Sequence, residues 1–406
     1  MRRILGLLHR WFGLFTAVFL FISGLTGAFI SFDHELDALI NPSFSTARSG
    51  PAALPMPSVV LADRIESADP RVRVTYLPLS TEPGHALQVF VGSRIDTTTG
   101  QPYTLPFNQL ALDPASGEIQ DSREWGAVSL SPKNVLSFLY KLHYTMHIPD
   151  AFGLPLGGVF MGIVAIVWTL DCFVSLVISF PSRKLWRRSF AFSWREGGRR
   201  LLFDIHRSGG VWVWSLLLVL AVTAISMNLG HEVMRPIVSM FSTLTPDPFD
   251  TRKPNPPEDP IEPRLERGEA IRIASAEATA RGWEAPPGGI FYSPDYGLYG
   301  VGFFTAENDH GDGSLGNPWI YVDGRDGTLA GSDVPGEGSA GDLFLQAQFP
   351  VHSGRLFGLP GRILVSAMGL AVAALSATGV YFWARRRFVR ARTVAAPEAL
   401  VLEAQR

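Results

Sequence analysis

Two histidines in this chain are each followed, 25 residues on, by a second histidine across an apolar run: His9 to His34, and His206 to His231. On a continuous α-helix that spacing is about seven turns, which sets both imidazoles on one face. In the first run that face also carries Gly13, Ala17, Gly24, Gly27 and Ser31, and in the second Gly210, Ala221, Ala224 and Asn228 hold the matching positions. A groove of small residues with an imidazole at each end lets a flat ligand approach the backbone, and a neutral imidazole nitrogen is a common metal ligand. Two further stretches repeat as well: His143 and His147 run into Phe152-Gly153-Leu154-Pro155, and His352 runs into Phe357-Gly358-Leu359-Pro360. By offset His147 matches His352, whereas His143 matches Gln348.

The elements that must hold these residues are apolar. Four runs, roughly 12–32, 156–180, 211–229 and 363–383, reach the ~20 residues needed to cross a hydrocarbon core. With the flanking segments this gives transmembrane helices over 1–34, 154–181, 205–231 and 358–386. A cleaved signal peptide at the N-terminus has a shorter apolar core than this first run. Although the 406 residues carry a net charge of only −2, arginines cluster at Arg2-Arg3, through Arg183–Arg200 and at Arg385–Arg387, Arg390 and Arg392. Clusters beside apolar runs are an orientation signal, so both termini, the basic loop 182–203 and the tail 387–406 are expected in the cytoplasm, with segments 41–150 and 234–350 outside. Nucleic acid is not indicated as a partner. A single cysteine, Cys172, excludes a disulfide framework and covalent haem attachment through C-x-x-C-H.

Each outer segment reads as a small α+β module. In the first, 57–68 has a helical pattern, 72–77 and 86–91 alternate, and 110–119 forms a hairpin with Asp113 and Gly117 at its turn; in the second, 267–281, 289–292, 300–305 and the hairpin around Asp323 and Gly327 repeat that order. The proline-rich 246–263 reads as a linker. The chain is therefore two copies of span, outer module, histidine segment and span, and a parallel repeat implies a pseudo-two-fold axis along the membrane normal.

With these residues assembled, the chain resembles the PepSY-associated transmembrane family, whose members include inner-membrane haem proteins that reduce ferric siderophores. The resemblance is carried by Leu8-His9-Arg10-Trp11-Phe12-Gly13-Leu14, Leu25-Thr26-Gly27, Leu142-His143-Tyr144, Trp168-Thr169-Leu170-Asp171-Cys172-Phe173, Ile205-His206-Arg207 and Phe349-Pro350-Val351-His352-Ser353-Gly354-Arg355, and it covers nearly everything but the tail. It implies a membrane α+β protein with four transmembrane helices in a pseudo-two-fold bundle and two extracytoplasmic PepSY-like modules, in a bacterial inner membrane. It further implies two non-covalent b-type haems. His9 and His206 would ligate one; His352 with His143, or with His147, would ligate the other, since the family flank Leu-His-Tyr points to His143 and the repeat to His147. Arg10, Arg207 and Arg355 adjoin these histidines and could pair with haem propionates. His34 and His231 are weaker ligand candidates beside acidic residues, and His85 and His310 read as surface histidines.

The activity expected is that of a haem-dependent ferric-chelate reductase fed by a cytoplasmic donor or membrane quinol, its substrate seated between the two outer modules. No P-loop, G-x-S-x-G or H-E-x-x-H motif supports phosphoryl transfer or hydrolysis. The competing readings are a non-redox, membrane-anchored binding protein, and a transporter, for which the sequence shows few intramembrane charges beyond Asp171 and no obvious broken helix.

Overall fold

Residues 11–32 contain no charged side chain, so nothing interrupts helix formation in an apolar medium where every backbone group must be satisfied within the segment. The computed structural model describes the backbone of residues 1–404 and the side chains of residues 1–387; the expected tail, with Arg390 and Arg392, lies outside the described side chains. The chain divides into two compact units: one of 1–31, 140–234 and 363–406, the other of 32–139 and 235–362.

The first unit is helical. Arg2–Ile30, Leu156–Ser179 and Arg355–Arg387 are long and apolar enough to cross a membrane, and a fourth candidate is the bent pair Gly198–Trp212 and Trp214–Asn228. The spans pack backbone to backbone where glycine permits it. A Cβ on Gly24 would lie 2.6 Å from the Gly369 carbonyl oxygen, and one on Gly369 would lie 2.5 Å from that of Gly24. Small residues at facing positions are how helices approach closely in lipid, where apolar burial supplies no driving force.

Two expectations drawn from the 25-residue spacing fail here. The first helix ends at Ile30, Phe32 leaves helical geometry at φ −130°, and His34 belongs to a separate helix, Asp33–Ile40. The physical cause is visible in the sequence: Asp33 and Glu35 occupy the first turn of the new helix, where the dipole favours negative charge. The segment holding His206 and His231 is not one helix either. It bends by 68° beside Val213, and π-helical turns cover Ile205–Gly209 and Gly230–Met234. Ser208-Gly209-Gly210 is the kind of sequence at which helices kink. The shared helical face inferred for each histidine pair therefore does not exist, and the third apolar run forms a bent helix pair.

The second unit is built on one eight-stranded antiparallel sheet. Its strands are β1 (Val72–Pro78), β2 (Leu87–Ser93), β3 (Gln109–Leu112), β4 (Ile119–Arg123), β5 (Pro287–Ser293), β6 (Leu298–Phe303), β7 (Trp319–Asp323) and β8 (Leu329–Asp333), in the order β4-β3-β2-β1-β5-β6-β7-β8. Each half is a helix followed by a four-stranded meander, and the halves meet at β1–β5, with Leu77 opposite Ile290. Helices Ser58–Ala68 and Arg267–Ala280 supply Leu61, Ile65, Ala270 and Ala274 to a single core with Val74, Val89, Ile290, Val301 and Ile320. The matching hairpins are built alike. Gly117 and Gly327 sit at φ +76° and +78°, and each donates its backbone N–H to the carbonyl of the aspartate four residues back, Asp113 or Asp323.

Two separate modules with a cleft between them are thus replaced by one continuous sheet with one core. Pairing the two inner edges satisfies strand groups that would otherwise stay open. Ion pairs stitch the seam, Arg73 to Glu262 and Arg267 to Glu66. Nor is 246–263 a free tether: Phe249 packs on Phe291 and Tyr321, and Arg252 pairs with Asp323 at 2.8 Å.

Candidate functional site

His9 lies on the first span and His206 in the π-helical turn of the bent one, and their ring centroids are 6.4 Å apart with 51° between the planes. Each ring is fixed through its Nδ1. That of His9 lies 2.9 and 3.0 Å from the two carboxylate oxygens of Asp171, on the second span. That of His206 lies 2.9 Å from the Thr378 hydroxyl, on the fourth. The tautomers follow from the partners. A carboxylate only accepts, so His9 carries its proton on Nδ1. The Thr378 hydroxyl donates its one hydrogen to the Ala374 carbonyl at 2.7 Å, so toward His206 it accepts. In the neutral form both rings therefore leave Nε2 unprotonated, which is the nitrogen a metal or a proton donor would take.

Both imidazoles line a cavity of about 850 Å³ inside the helical unit, bordered by Gly13, Trp168, Asp171, Trp214, Gly379 and Trp383 among others. A Cβ on Gly13 would meet nothing within 4 Å, and one on Gly379 would stand 3.3 Å from Cε1 of His206. Glycine at these places keeps the space between the spans open and lets a flat body reach the backbone. Arg10, Arg207, Arg386 and Arg387 also line the cavity, with Asp171 its only acidic residue among the described ones. Arg207 is already paired with Asp204 through Nη2 at 3.1 Å, while its buried Nε has no hydrogen-bond partner among the described residues.

Two bare imidazole nitrogens are a ligand set for one metal ion. Bonds of about 2.0–2.1 Å on each side would separate two ring centroids by roughly 6 Å. Among the described residues no group of three or more His, Cys, Asp or Glu side chains gathers as a metal site. A metal held here would need its other ligands from a cofactor, and the four arginines on the cavity wall, of which Arg207 is already paired with Asp204, are the groups that would meet anionic substituents on it.

The remaining candidates lie on other elements. His143 is buried against the first span, its Nδ1 2.9 Å from the Ser23 carbonyl oxygen and 3.1 Å from Thr26 Oγ1, and its Cε1 would be 2.9 Å from a Cβ on Gly27. Ser23 and Gly27 follow His9 by 14 and 18 residues on one helix, which places the two histidine sites roughly 20–27 Å apart along it. His147 sits in a left-handed turn at φ +53° after the helix Val135–Thr145. His352 is in the short helix Gln348–Ser353 of the other unit, and His231 is in the π-helical turn that ends the bent span.

His34 and His310, one a weak ligand candidate and the other read as a surface residue, meet edge to face at 4.5 Å, and Asp309 holds His310 at 2.5 Å. Beside them Arg355 is occupied by Asp312 at 2.8 Å and approaches Asp33 at 3.8 Å. Within the same unit the Asp309 carboxyl is raised by burial, but the bond from His310 and the charges of His310, His34 and Arg355 outweigh this and hold it below the usual range.

Asp171, Thr378 and Gly379 were not singled out from the sequence as site residues. Asp171 did carry a signal, as the one acidic residue within the second apolar run. Thr378 and Gly379 carried none.

Apolar helices crossing a membrane, a sheet unit built from two like halves, and a histidine-lined cavity among the spans define a multi-pass membrane protein with a prepared site inside its helical unit. The family model for the PepSY-associated TM region matches residues 7–386, and the chain belongs to that family. No curated protein matches the sequence.

Proposed function

We propose that this chain is a b-type haem oxidoreductase of a bacterial inner membrane that reduces a ferric siderophore or other ferric chelate on the periplasmic side during iron uptake. The observation that carries the reading is the His9–His206 pair: two rings from different helices, each held through Nδ1, on one cavity. Haem bound there would supply one-electron transfer between its ferric and ferrous states. His9 and His206 would hold its iron, Arg10 and Arg207 would pair with its propionates, and Gly13 and Gly379 would leave room for it. His143 with His352, or His147 with His352, would ligate a second haem. His143 is already oriented through Nδ1, which favours it over His147.

Arg2, Arg3, the basic stretch 183–200 and Arg385–Arg387 flank the ends of the spans that carry this cavity, which supports a cytoplasmic face for it and for both termini. The spans would then form a four-helix, pseudo-two-fold bundle, and the two halves of the sheet would be fused PepSY-like modules in the periplasm. One electron from a cytoplasmic donor or membrane quinol reduces one ferric ion, and oxygen-donor chelators release iron(II) more readily. The substrate would rest on the sheet unit, not in a cleft between modules. The bend at Val213 favours a second reading, transport, because broken helices mark many transporter sites.

Purified protein should show a Soret band and a pyridine-haemochrome count of two haems per chain. His206→Ala should lose one of them. Dithionite-reduced protein should reoxidise with a ferric chelate and yield iron(II) trapped by a ferrous indicator. Full haem content in His206→Ala would refute the inner pair, and wild-type protein without haem would leave transport or binding as the function.

A further inference from the structure

Asp171 is a carboxylate within an apolar span, and its only hydrogen-bond partner among the described residues is His9. Its side chain is 12% exposed, and among the described residues no arginine or lysine forms an ion pair with it. A charge at such depth is costly and rarely serves packing alone. Across the same cavity, His206 is held by a neutral hydroxyl. Farther along the first span, His143 is held by a carbonyl and a hydroxyl, both neutral. Of His9, His206 and His143, the one whose Nδ1 faces a carboxylate is His9.

We infer that Asp171 is a positioning and tuning residue that makes the His9 site the low-potential end of the electron path. The inference rests on the haem reading proposed above. A carboxylate bonded to the far nitrogen of a ligating imidazole fixes its tautomer and orientation and raises its basicity. A more basic axial ligand stabilises ferric over ferrous iron, so the inner site becomes the stronger reductant. Bonds to charged acceptors are roughly twice as strong as neutral ones, so the hydroxyl on His206 and the neutral acceptors on His143 give much less of this effect. Electrons entering at His9 would then run downhill toward His143, and the direction would be set by one side chain.

The test is a spectroelectrochemical titration of the purified full-length chain, following the component that His206→Ala removes. Asp171→Asn keeps an acceptor for Nδ1–H and deletes the charge. Its inner component should keep low-spin bis-histidine absorption and should be at least tenfold more reduced than oxidised at the potential where the wild type is half reduced, about 59 mV for one electron. Thr378→Val should move the midpoint by much less. Asp171→Leu, which removes both charge and acceptor, should weaken haem retention by about 10–100-fold.

An unchanged midpoint in haem-loaded Asp171→Asn overturns the inference while leaving the haem reading intact, whereas wild-type protein without haem overturns that reading itself. Should Asp171→Asn fail to hold haem, the wild-type ferric electron paramagnetic resonance spectrum decides. An inner component with a narrower g spread than the outer one supports a carboxylate-polarised ligand, and equal or wider spread refutes it.

Discussion

At the scale of single residues, the site is defined as much by what is missing as by what is present. Gly13 lines the cavity one helical turn from His9, and a Cβ there would touch nothing, so the span tolerates a side chain at this position while the cavity does not. Gly13→Leu should therefore fold and insert normally yet lose most of the inner haem, read as the haemochrome count against protein concentration. A variant with undiminished haem would show that the ligand plane lies elsewhere. Gly24 is the opposite case. Its missing Cβ belongs to the contact with Gly369, and a side chain there would push two backbones apart, at a typical overpacking cost of about 1–3 kcal/mol. Both residues lie in one small-residue stripe of the sequence, and only the neighbouring helix distinguishes them.

At the scale of elements, the hairpin turns show how local chemistry is repeated. The Asp113 carboxylate accepts from the backbone N–H groups of Ala115 and Ser116 at 3.0 Å and of Ser49 at 2.6 Å. Burial raises its pKa, but the bonds from Ser116, Ser49 and Ala115 outweigh this and hold it below the usual carboxylate range. A carboxyl whose folded pKa is depressed contributes stability that is present above its unfolded pKa and is lost as pH falls through the folded one. Asp113→Ala should thus destabilise the sheet unit near neutrality by about 1–3 kcal/mol, the usual range for bonds to a charged group. The deficit should shrink below pH 4, and thermal melts of both proteins at pH 7 and pH 3 would check it; a difference independent of pH would assign the effect to packing.

At the scale of the molecule, duplication produced one sheet, not two domains. The halves share a core and are joined along β1–β5, so neither presents a complete hydrophobic surface or a closed edge by itself. A chain stopped after residue 240 keeps β1 paired with β2 but without β5, and should be retained poorly in the membrane or degraded. The segment 234–358 expressed alone should give no cooperative melt. A dispersed, sharply melting isolated half would show that the seam is a docking contact between independent domains. Reporter fusions at Ser49 and Asn255 should both read as external under the proposed orientation, and an internal reading at Asn255 would end the two-fold arrangement.

The sequence by itself determined the apolar runs, the duplication, the hairpin turns and the pairing of His9 with His206 as candidates, because these depend on composition, period and offset. The β-strands and the helices Ser58–Ala68 and Arg267–Ala280 were legible for the same reason: alternation and helical periodicity are properties of a segment. Periodicity says nothing, however, about where a helix stops being straight. The break at Phe32 and the bend beside Val213 separated His34 and His231 from the faces assigned to them, since backbone geometry there answers to charges, glycines and neighbouring spans. Strand pairing across 213 residues, from Leu77 to Ile290, and the contacts of Asp171 and Thr378 with the two imidazoles are relations between distant segments. No local pattern encodes them, so only the tertiary structure decided which polar groups orient the histidines and that the two halves share one core.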